Sequence, residues 1–461
     1  MYKDKKRVLS EEEEKIIALA TNAFGVADDA FTSLDVTDAY FQPIKDGEKV
    51  IELNHYNYGE CLENSNQEVR RQAFLHYHDY YKKHKNTFAS LLKGNYQELE
   101  FARIIRKYET SLEMSLDGID VDRKVYDNLI DSVHQFIDLN VEYQKLKSKV
   151  LGVLEYHLYD TYVPVVKLDS QKYEKEEAIE LVKKALMPLG DDYLAKFQSI
   201  FDSQAVDFYS NVGKENGAYH WGCYDSPSYV LLNFNGTMDS VSTLAHELGH
   251  AVHSLYSNEA NSYTYASYEI FLAEIASTVN ETLLSFYQIE NAQTNKEKVY
   301  YLCEFLDKVK GTIYRQTMFA EFEKIMSEKA QNKESLTEEV MSNVYYDLNK
   351  DYFKDSVILD DSIRYEWMRI SHFYRPFYVY KYATGLVSAL CIVSDILSKK
   401  EGFPLKYLTF LRSGSSKNVL DILNIVDVDL TNMATYEKAF GLIKQRLDEL
   451  KKIIEDGGLD E

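Results

Sequence analysis

Residues 243–252 read Thr-Leu-Ala-His-Glu-Leu-Gly-His-Ala-Val, and Glu247 is the one charged residue in this segment. His246 and His250 stand four positions apart, so an α-helix would place both imidazoles on one face of a single turn, where they can share a zinc ion. Glu247 would lie beside them, within reach of a water molecule whose pKa zinc lowers to about 7. The segment therefore predicts a helix that supplies two zinc ligands and a general base.

Two other interpretations of the histidines compete with this one. The first is structural: a buried helix in which both rings are hydrogen-bonded within the protein. The second adds His253 as a third ligand, but it lies seven residues after His246, which is about 10 Å along a helix axis. Both rings could not bind one ion at a Zn–N distance near ~2.1 Å. His253 is therefore predicted to pack or to support a ligand.

The third ligand is predicted from a second helical segment, residues 270–281. Glu274 is a carboxylate in an otherwise apolar run, which is costly unless the group is paired or bound to a metal. Glu281 follows two turns later on the same face and could hydrogen-bond a ligating histidine. Glu259 and Glu269 lie in the more polar connection and are predicted to be solvated. The predicted ligands of one zinc ion per chain are therefore His246, His250 and Glu274.

The fold is predicted to be mainly α-helical, because six prolines and 19 glycines in 461 residues leave room for long helices. Helical periodicity or capping residues indicate helices over residues 9–24, 64–92, 124–152 and 174–186. The best strand is residues 228–234, in a glycine-containing and aromatic region just before the histidine motif. The expected architecture is an α-rich protein with one small sheet beside the metal-binding helices.

Composition excludes several classes of partner. The formal net charge of −22 disfavours nucleic acids and anionic membranes. The N-terminal residues contain no apolar secretory segment, and no run of about 18 apolar residues predicts a membrane span. The four cysteines are scattered and predict no disulfide framework. A cytoplasmic protein is expected, and its oligomeric state is left open.

Several separated blocks of sequence occur here in a combination that indicates a known protein family. They are residues 217–222 with 229–234, the motif at 246–250, the segment 271–281, the segment 372–385 and the Gly/Ser turn at 411–416. In this combination the chain resembles oligoendopeptidase F, within the thimet-oligopeptidase family of zinc peptidases. The resemblance implies a large helical metallopeptidase with a deep substrate channel that admits short peptides. It also implies that Glu274 is the third zinc ligand.

The resemblance divides the chain into a shortened N-terminal helical region, residues 1–85, and a catalytic domain, residues 86–461. It assigns substrate and oxyanion contacts to His372 and to a nearby tyrosine. Tyr378 and Tyr382 are four apart, so one helix would direct both hydroxyls to the same side. A phenol aimed at the developing oxyanion would stabilise it. Tyr382 is preferred for this role and Tyr378 for substrate contact.

The assignment of the tyrosines stays open. Tyr380 remains a possible oxyanion residue, and an aromatic core stripe is the structural alternative for all three tyrosines. Tyr229 and Gly217 are predicted to contact the substrate, whose backbone would pair with the strand at 229–234.

The predicted activity is hydrolysis of short peptides by an endopeptidase, with Glu247 as general base and then acid. The alternative is a peptide-binding protein that keeps the zinc site but has little or no turnover because of the shortened N-terminal region. A third possibility is a structural helical protein with a chance motif.

Overall fold

The computed structural model describes residues 7–168 and 172–459. Helices dominate it, as predicted. Those of the first half are α1 (Glu11–Phe24), α2 (Val26–Thr32), α3 (Tyr58–Leu62), α4 (Gln67–Lys83), α5 (Lys85–Ile105), α6 (Ser111–Asp117), α7 (Arg123–Gln135), α8 (Ile137–Leu151), α9 (Lys175–Leu186) and α10 (Asp191–Asp202). Those of the second half are α11 (Met238–Ala260), α12 (Ile270–Asn291), α13 (Asn295–Val309), α14 (Arg315–Gln331), α15 (Glu338–Phe353), α16 (Tyr380–Leu397), α17 (Phe403–Leu411), α18 (Val419–Ile425) and α19 (Met433–Glu455).

Strands are few and short. The hairpin β1 (Ile44–Asp46) and β2 (Lys49–Ile51) is antiparallel. The second sheet contains β3 (Val206–Asp207), β4 (Tyr219–Trp221) and β5 (Tyr229–Leu231) in the order β3-β5-β4. Strand β5 is parallel to β3 and antiparallel to β4. The predicted small sheet before the histidine motif is therefore confirmed, with a shorter strand than residues 228–234.

Helix starts follow their capping residues, but two helix breaks were not predicted. The Ser10 hydroxyl accepts a hydrogen bond from the backbone N–H of Glu13, whose carboxylate accepts one from the N–H of Ser10, so α1 begins with a capping box.

The predicted helix 64–92 is interrupted at His84, and the predicted helix 124–152 is interrupted at Phe136. The backbone angles lie outside the helical range at both residues: φ is −105° and ψ is 13° at His84, and φ is −108° and ψ is 18° at Phe136. Neither break has a proline or glycine at or next to it that would have predicted it from the sequence.

The chain forms two compact units, each assembled from separate stretches. The first contains Met1–Gly118, His134–Val165 and Tyr314–Tyr380, and the second contains Ile119–Val133, Val166–Ile313 and Lys381–Glu461. The predicted division at residue 85 falls between α4 and α5, inside the first unit. The compact units thus divide the chain elsewhere, and the regions 1–85 and 86–461 stay a prediction, as does the substrate channel.

A buried ion cluster fixes part of the first unit. Glu366 lies in a 3₁₀ segment, Asp361–Arg369, that packs against α4 and α15. Its carboxylate accepts hydrogen bonds of 2.8 Å from Arg315 and from Arg369 and one of 2.6 Å from the hydroxyl of Tyr345. Burial alone would raise the pKa of Glu366, but the two guanidinium groups hold it well below its usual range. The ion cluster therefore holds the 3₁₀ segment in place just before the chain continues to His372.

In the second unit the most extensive packing joins α11 and α12. Strands β4 and β5 pack on α11, and so do α9, α10 and α17. Buried apolar side chains on α11 recur at helical spacing, and Val241, Leu244, Leu248 and Val252 are fully buried. This packing places the histidine motif inside the unit and next to the small sheet.

One described helix, α16, is long and apolar enough to cross a membrane by length and composition alone. Of its 18-residue span, 78% is buried inside the structure. The sequence predicted no run of about 18 apolar residues, and in α16 the apolar residues are interrupted by Lys381, Thr384, Ser388 and Asp395.

Candidate active site

The metal-binding candidates depend on an unusually close approach of α11 to α12. A Cβ atom added at Gly249 would lie 2.6 Å from the Cα of Ser277 and 3.0 Å from the carbonyl oxygen of Ala276. Only a residue without a side chain fits there. The buried amide of Asn280 also donates to the carbonyl of Ala245 at 3.1 Å, which fixes the rotation of one helix against the other. The glycine between the two motif histidines therefore sets the distance to the second helix.

Gly249→Ala is expected to push α12 away from α11 and to weaken both folding and metal binding. Overpacking of this kind costs about 1–3 kcal/mol of unfolding free energy. We expect metal affinity to fall roughly tenfold as well, because loss of ligand support has an effect of that order. Chemical denaturation and a competitive metal titration measure the two quantities.

The matched control is Gly441→Ala in α19, where nothing lies within 4 Å of the added Cβ. That variant is expected to be neutral or slightly stabilised, because alanine has the higher helix propensity. Equal behaviour of the two variants would show that the close approach at Gly249 is not required.

Three side chains from these two helices converge. His246, His250 and Glu274 each offer a ligand atom, and these atoms lie within 4.8 Å of one another. The two Nε2 atoms are 3.1 Å apart, and Nε2 of His246 is 3.8 Å from Oε2 of Glu274. Two imidazole nitrogens on one tetrahedral zinc ion lie about 3.4 Å apart. The donor set and its spacing therefore suit a small divalent cation.

A buried acid and a lysine orient the ring of His246. Nδ1 of His246 lies 2.8 Å from Oε1 of Glu281. Burial alone would raise the pKa of Glu281, but Lys308 and the ring of His246 lower it to about 2. The ionised carboxylate can only accept, so Nδ1 carries the hydrogen and Nε2 is directed at the metal position. The role predicted for Glu281 agrees with this geometry, whereas Lys308 on α13 was not predicted.

The electrostatic surroundings prepare the other groups for their roles. Burial, together with the charge of His246, lowers the pKa of His250 to about 3, so its ring is neutral at pH 7 and available as a ligand. Burial also raises the pKa of Glu274 and that of Glu247, and His246 only partly offsets both effects. A raised pKa makes the Glu247 carboxylate a stronger proton acceptor near neutral pH.

His220 is a site residue that the sequence-based reasoning did not assign. It is the middle residue of β4, its ring centroid lies 6.5 Å from that of His250, and its Nε2 lies 2.7 Å from Oγ of Ser228. The hydroxyl of Ser228 in turn donates to the carbonyl of Ala251 on α11. The backbone N–H of His220 also lowers the pKa of Glu247. The alternation Tyr-His-Trp in a short strand was the available signal, since it places the histidine alone on one face.

Strands β3 and β4 are the two edges of the sheet, and the prediction that the strand at 229–234 pairs with substrate is wrong for residues 229–231. Strand β5 is central, with β3 on one side and β4 on the other. The N–H of Val230 donates to the carbonyl of Ala205 in the β3 direction, so the backbone groups of Tyr229 and Leu231 face β4. By the same alternation the N–H and C=O of His220 face outward. Of the two edge strands, β4 is the one that packs on α11, so it can accept a further strand beside the converging side chains.

Residues 61–442, which are most of the chain, match the sequence model of peptidase family M3. The chain belongs to peptidase family M3. It is 40% identical to oligopeptidase PepF of Bacillus subtilis over 98% of this chain and 68% of that protein. It is 38% identical to an oligoendopeptidase F homolog of Borreliella burgdorferi over 99% of this chain and 77% of that protein.

A solved structure shows the same family relationship. The crystal structure of oligoendopeptidase-F from Enterococcus faecium superposes with a TM-score of 0.81 at 32% identity, covering 98% of this chain and 76% of that one. The predicted resemblance and the mainly helical fold are both confirmed. This M3 protein is a peptidase, a hydrolase that acts on peptide bonds, and its family is one of metallopeptidases that act on short peptides.

The remaining predicted residues of this M3 peptidase fall in different places. Tyr229 lies on the outer face of the sheet and is 51% exposed. Gly217 precedes β4 with φ +87°, a conformation that favours glycine, and its carbonyl accepts the amide of Asn233. Their substrate contacts stay predictions. His253 is buried and stacks on Tyr268 with ring centroids 3.8 Å apart, so it packs as predicted.

His372 and Tyr378 lie together in the first unit, with ring centroids 6.4 Å apart. Burial lowers the pKa of His372, and neighbouring Arg375 lowers it further, so its ring is neutral at pH 7. Both residues are half-buried. Their segment is anchored where Asn95 donates to the carbonyl of Phe373 at 3.1 Å.

Tyr378 and Tyr382 do not lie on one helix, contrary to what their spacing predicts. Helix α16 begins at Tyr380, and Phe377 has φ +61°, so Tyr378 and Tyr382 do not share a helix. Tyr380 is fully buried, which removes it as a group that meets substrate. Tyr382 is half-buried in the first turn of α16, in the second unit.

Proposed function

We propose that this M3 peptidase is a zinc-dependent endopeptidase that cleaves short peptides internally. The observation that carries the proposal is the convergence of His246, His250 and Glu274 within 4.8 Å, with Glu247 on the same helix. Two imidazoles, both neutral when they bind a metal, and one carboxylate form a donor set that suits zinc and leaves a fourth position open. One zinc ion per chain is proposed.

Bound zinc would supply a Lewis acid and a water molecule with a pKa near 7. Glu247 accepts the proton of the attacking water, because burial has raised the pKa of this carboxylate. It then delivers the proton to the leaving amine. The backbone N–H of His220 helps to orient the carboxylate. His246 is held in one tautomer by Glu281, which is paired with Lys308.

The substrate is proposed to bind as an extended strand against the open edge of β4. This edge presents the C=O of His220, while its N–H is directed at the Glu247 carboxylate, and main-chain pairing of this kind reads backbone rather than side chains. His372 and Tyr382 are proposed to steady the oxyanion, with Tyr378 contacting substrate. The neutral ring of His372 can donate through one nitrogen. These three assignments rest on the family resemblance.

The experiment is an assay with internally quenched oligopeptides, combined with chelation and metal analysis. We expect a chelator to abolish turnover and about one equivalent of zinc per chain to restore it, because removing the Lewis acid removes the main catalytic group. Mass spectrometry of the products is expected to show cleavage at internal bonds. An unchanged rate in the chelated protein would refute the metal, and release of single terminal residues alone would refute endopeptidase action.

The same experiment separates the alternative function. A peptide-binding protein without turnover would hold the peptide and the metal but release no products in any of these conditions.

A further inference from the structure

A cavity of about 730 Å³ continues the line of metal ligands along α11. His246, His250, Ser254 and Asn258 follow one another at intervals of four residues, so each lies one turn beyond the last in a row that drifts about 40° around the helix per step. Ser254 and Asn258 line the cavity, and His220 lines it from the neighbouring strand. The cavity therefore begins one helical turn beyond His250.

The walls of this cavity carry hydroxyl groups and aromatic rings but no acid, lysine or arginine among the described lining residues. The hydroxyls of Ser254 and Tyr268 lie 2.7 Å apart. The rings of Trp221 and Tyr263 are 71% and 78% exposed, so they are available for contact. The described cavity lining thus lacks the acidic side chains that give the whole chain its net charge of −22.

We infer that this cavity is the subsite for a substrate side chain two to four residues from the cleaved bond, and that it selects uncharged aromatic or hydrogen-bonding side chains. The inference rests on the proposed endopeptidase function and adds a substrate preference to it.

The distance follows from helix and strand geometry. A helix rises 1.5 Å per residue, so Ser254 lies about 6 Å and Asn258 about 12 Å beyond His250 along the axis. An extended peptide advances about 3.3 Å per residue. For a peptide that runs along α11, Ser254 is thus reached about two residues from the metal position, and Asn258 about four. Gly222, two residues after His220, also lines the cavity, so the open edge of β4 leads a paired peptide toward it.

The preference follows from the cost of desolvation. A lysine or glutamate side chain entering the cavity would lose water without meeting an opposite charge, which is strongly unfavourable. A tyrosine or phenylalanine ring could pack against Trp221 or Tyr263. A glutamine side chain could hydrogen-bond with Ser254 or Asn258.

The experiment uses the zinc-loaded enzyme and one parent peptide that is cleaved at a single bond. Each position up to four residues from that bond is replaced in turn by Tyr, Gln, Lys or Glu. We expect the Tyr and Gln peptides to exceed the Lys and Glu peptides about tenfold in kcat/KM, at one or two adjacent positions on one side only. A preference found next to the cleaved bond, or no preference at the distances given, would overturn the inference.

Asn258→Asp tests the cavity itself, because it adds one negative charge there with almost no change in shape. We expect the ratio of kcat/KM for the Lys peptide over that for the Gln peptide to rise about tenfold at the sensitive position alone. The control Asn291→Asp adds the same charge at the exposed end of α12 and is expected to change the ratio less than twofold. An unchanged ratio in Asn258→Asp, or the same rise in both variants, would overturn the inference while leaving peptide hydrolysis intact. Failure of every peptide to be cleaved would instead overturn the proposed function.

Discussion

Glu247→Gln is expected to lower kcat by roughly 10³-fold while the protein still binds zinc, because general acid–base catalysis contributes about 10²–10⁴-fold. Glutamine has nearly the same shape but cannot accept a proton from water. The carboxylate is 6% exposed and is not one of the three converging ligands, so its replacement should leave both the packing and the metal position intact. The loss should appear in kcat, with little change in KM.

The measurement is steady-state hydrolysis of a quenched peptide, with zinc content determined on the same sample. Glu259→Gln is a matched control, because Glu259 lies on the exposed last turn of the same helix and pairs only with Lys196 among its described ion-pair partners. It is expected to keep wild-type kcat. Wild-type turnover in Glu247→Gln would remove the assigned base, and loss of zinc from that variant would mean that the residue acts through the metal site instead.

Glu274→Gln is expected to weaken zinc affinity by more than about 100-fold, beyond the 10–100-fold typical of residues that only support a ligand. The variant replaces an anionic donor with a neutral amide, in a site where the other two donors are imidazole nitrogens. Activity at limiting zinc should fall in parallel and should recover only in part when zinc is added in excess.

Competitive titration with a chromophoric chelator measures the affinity directly. Glu281→Gln is expected to fall between wild type and Glu274→Gln, because it removes an orienting partner of His246 rather than a ligand. Glu269→Gln, at the exposed residue before α12, should retain wild-type affinity. An affinity of Glu274→Gln within a few-fold of wild type would exclude the carboxylate from the ligand set.

The part of the site that the sequence predicted is the part that depends on local spacing. Helix periodicity alone requires residues four apart to share a face, so His246 and His250 could be paired without coordinates. Glu274 was recognisable because a carboxylate in an apolar helical run needs a partner. Helix starts such as Ser10 could be predicted for the same reason, since a cap and its partners lie within one turn.

The long-range part could not be predicted in this way. Lys308, which completes the support of His246, is 27 residues from Glu281 on another helix, and no local pattern connects them. The space that Gly249 leaves is defined by Ser277 on the neighbouring helix, so the sequence showed a small residue but not its partner. The assembly of each unit from three separate stretches is also a property of contacts between distant segments.

The sequence by itself determined the family, the mainly helical fold and the identity of the three converging side chains, because periodicity, capping and residue spacing act within a few turns of one chain segment. Only the tertiary structure decided which strand has a free edge, which tyrosine is buried and how closely α11 approaches α12. Strand β5 has the better strand sequence, but it acquires neighbours on both sides from residues 206–207 and 219–221, and this makes β3 and β4 the edge strands. Edge position and burial depend on what the rest of the chain places alongside, and that information is absent from any single segment.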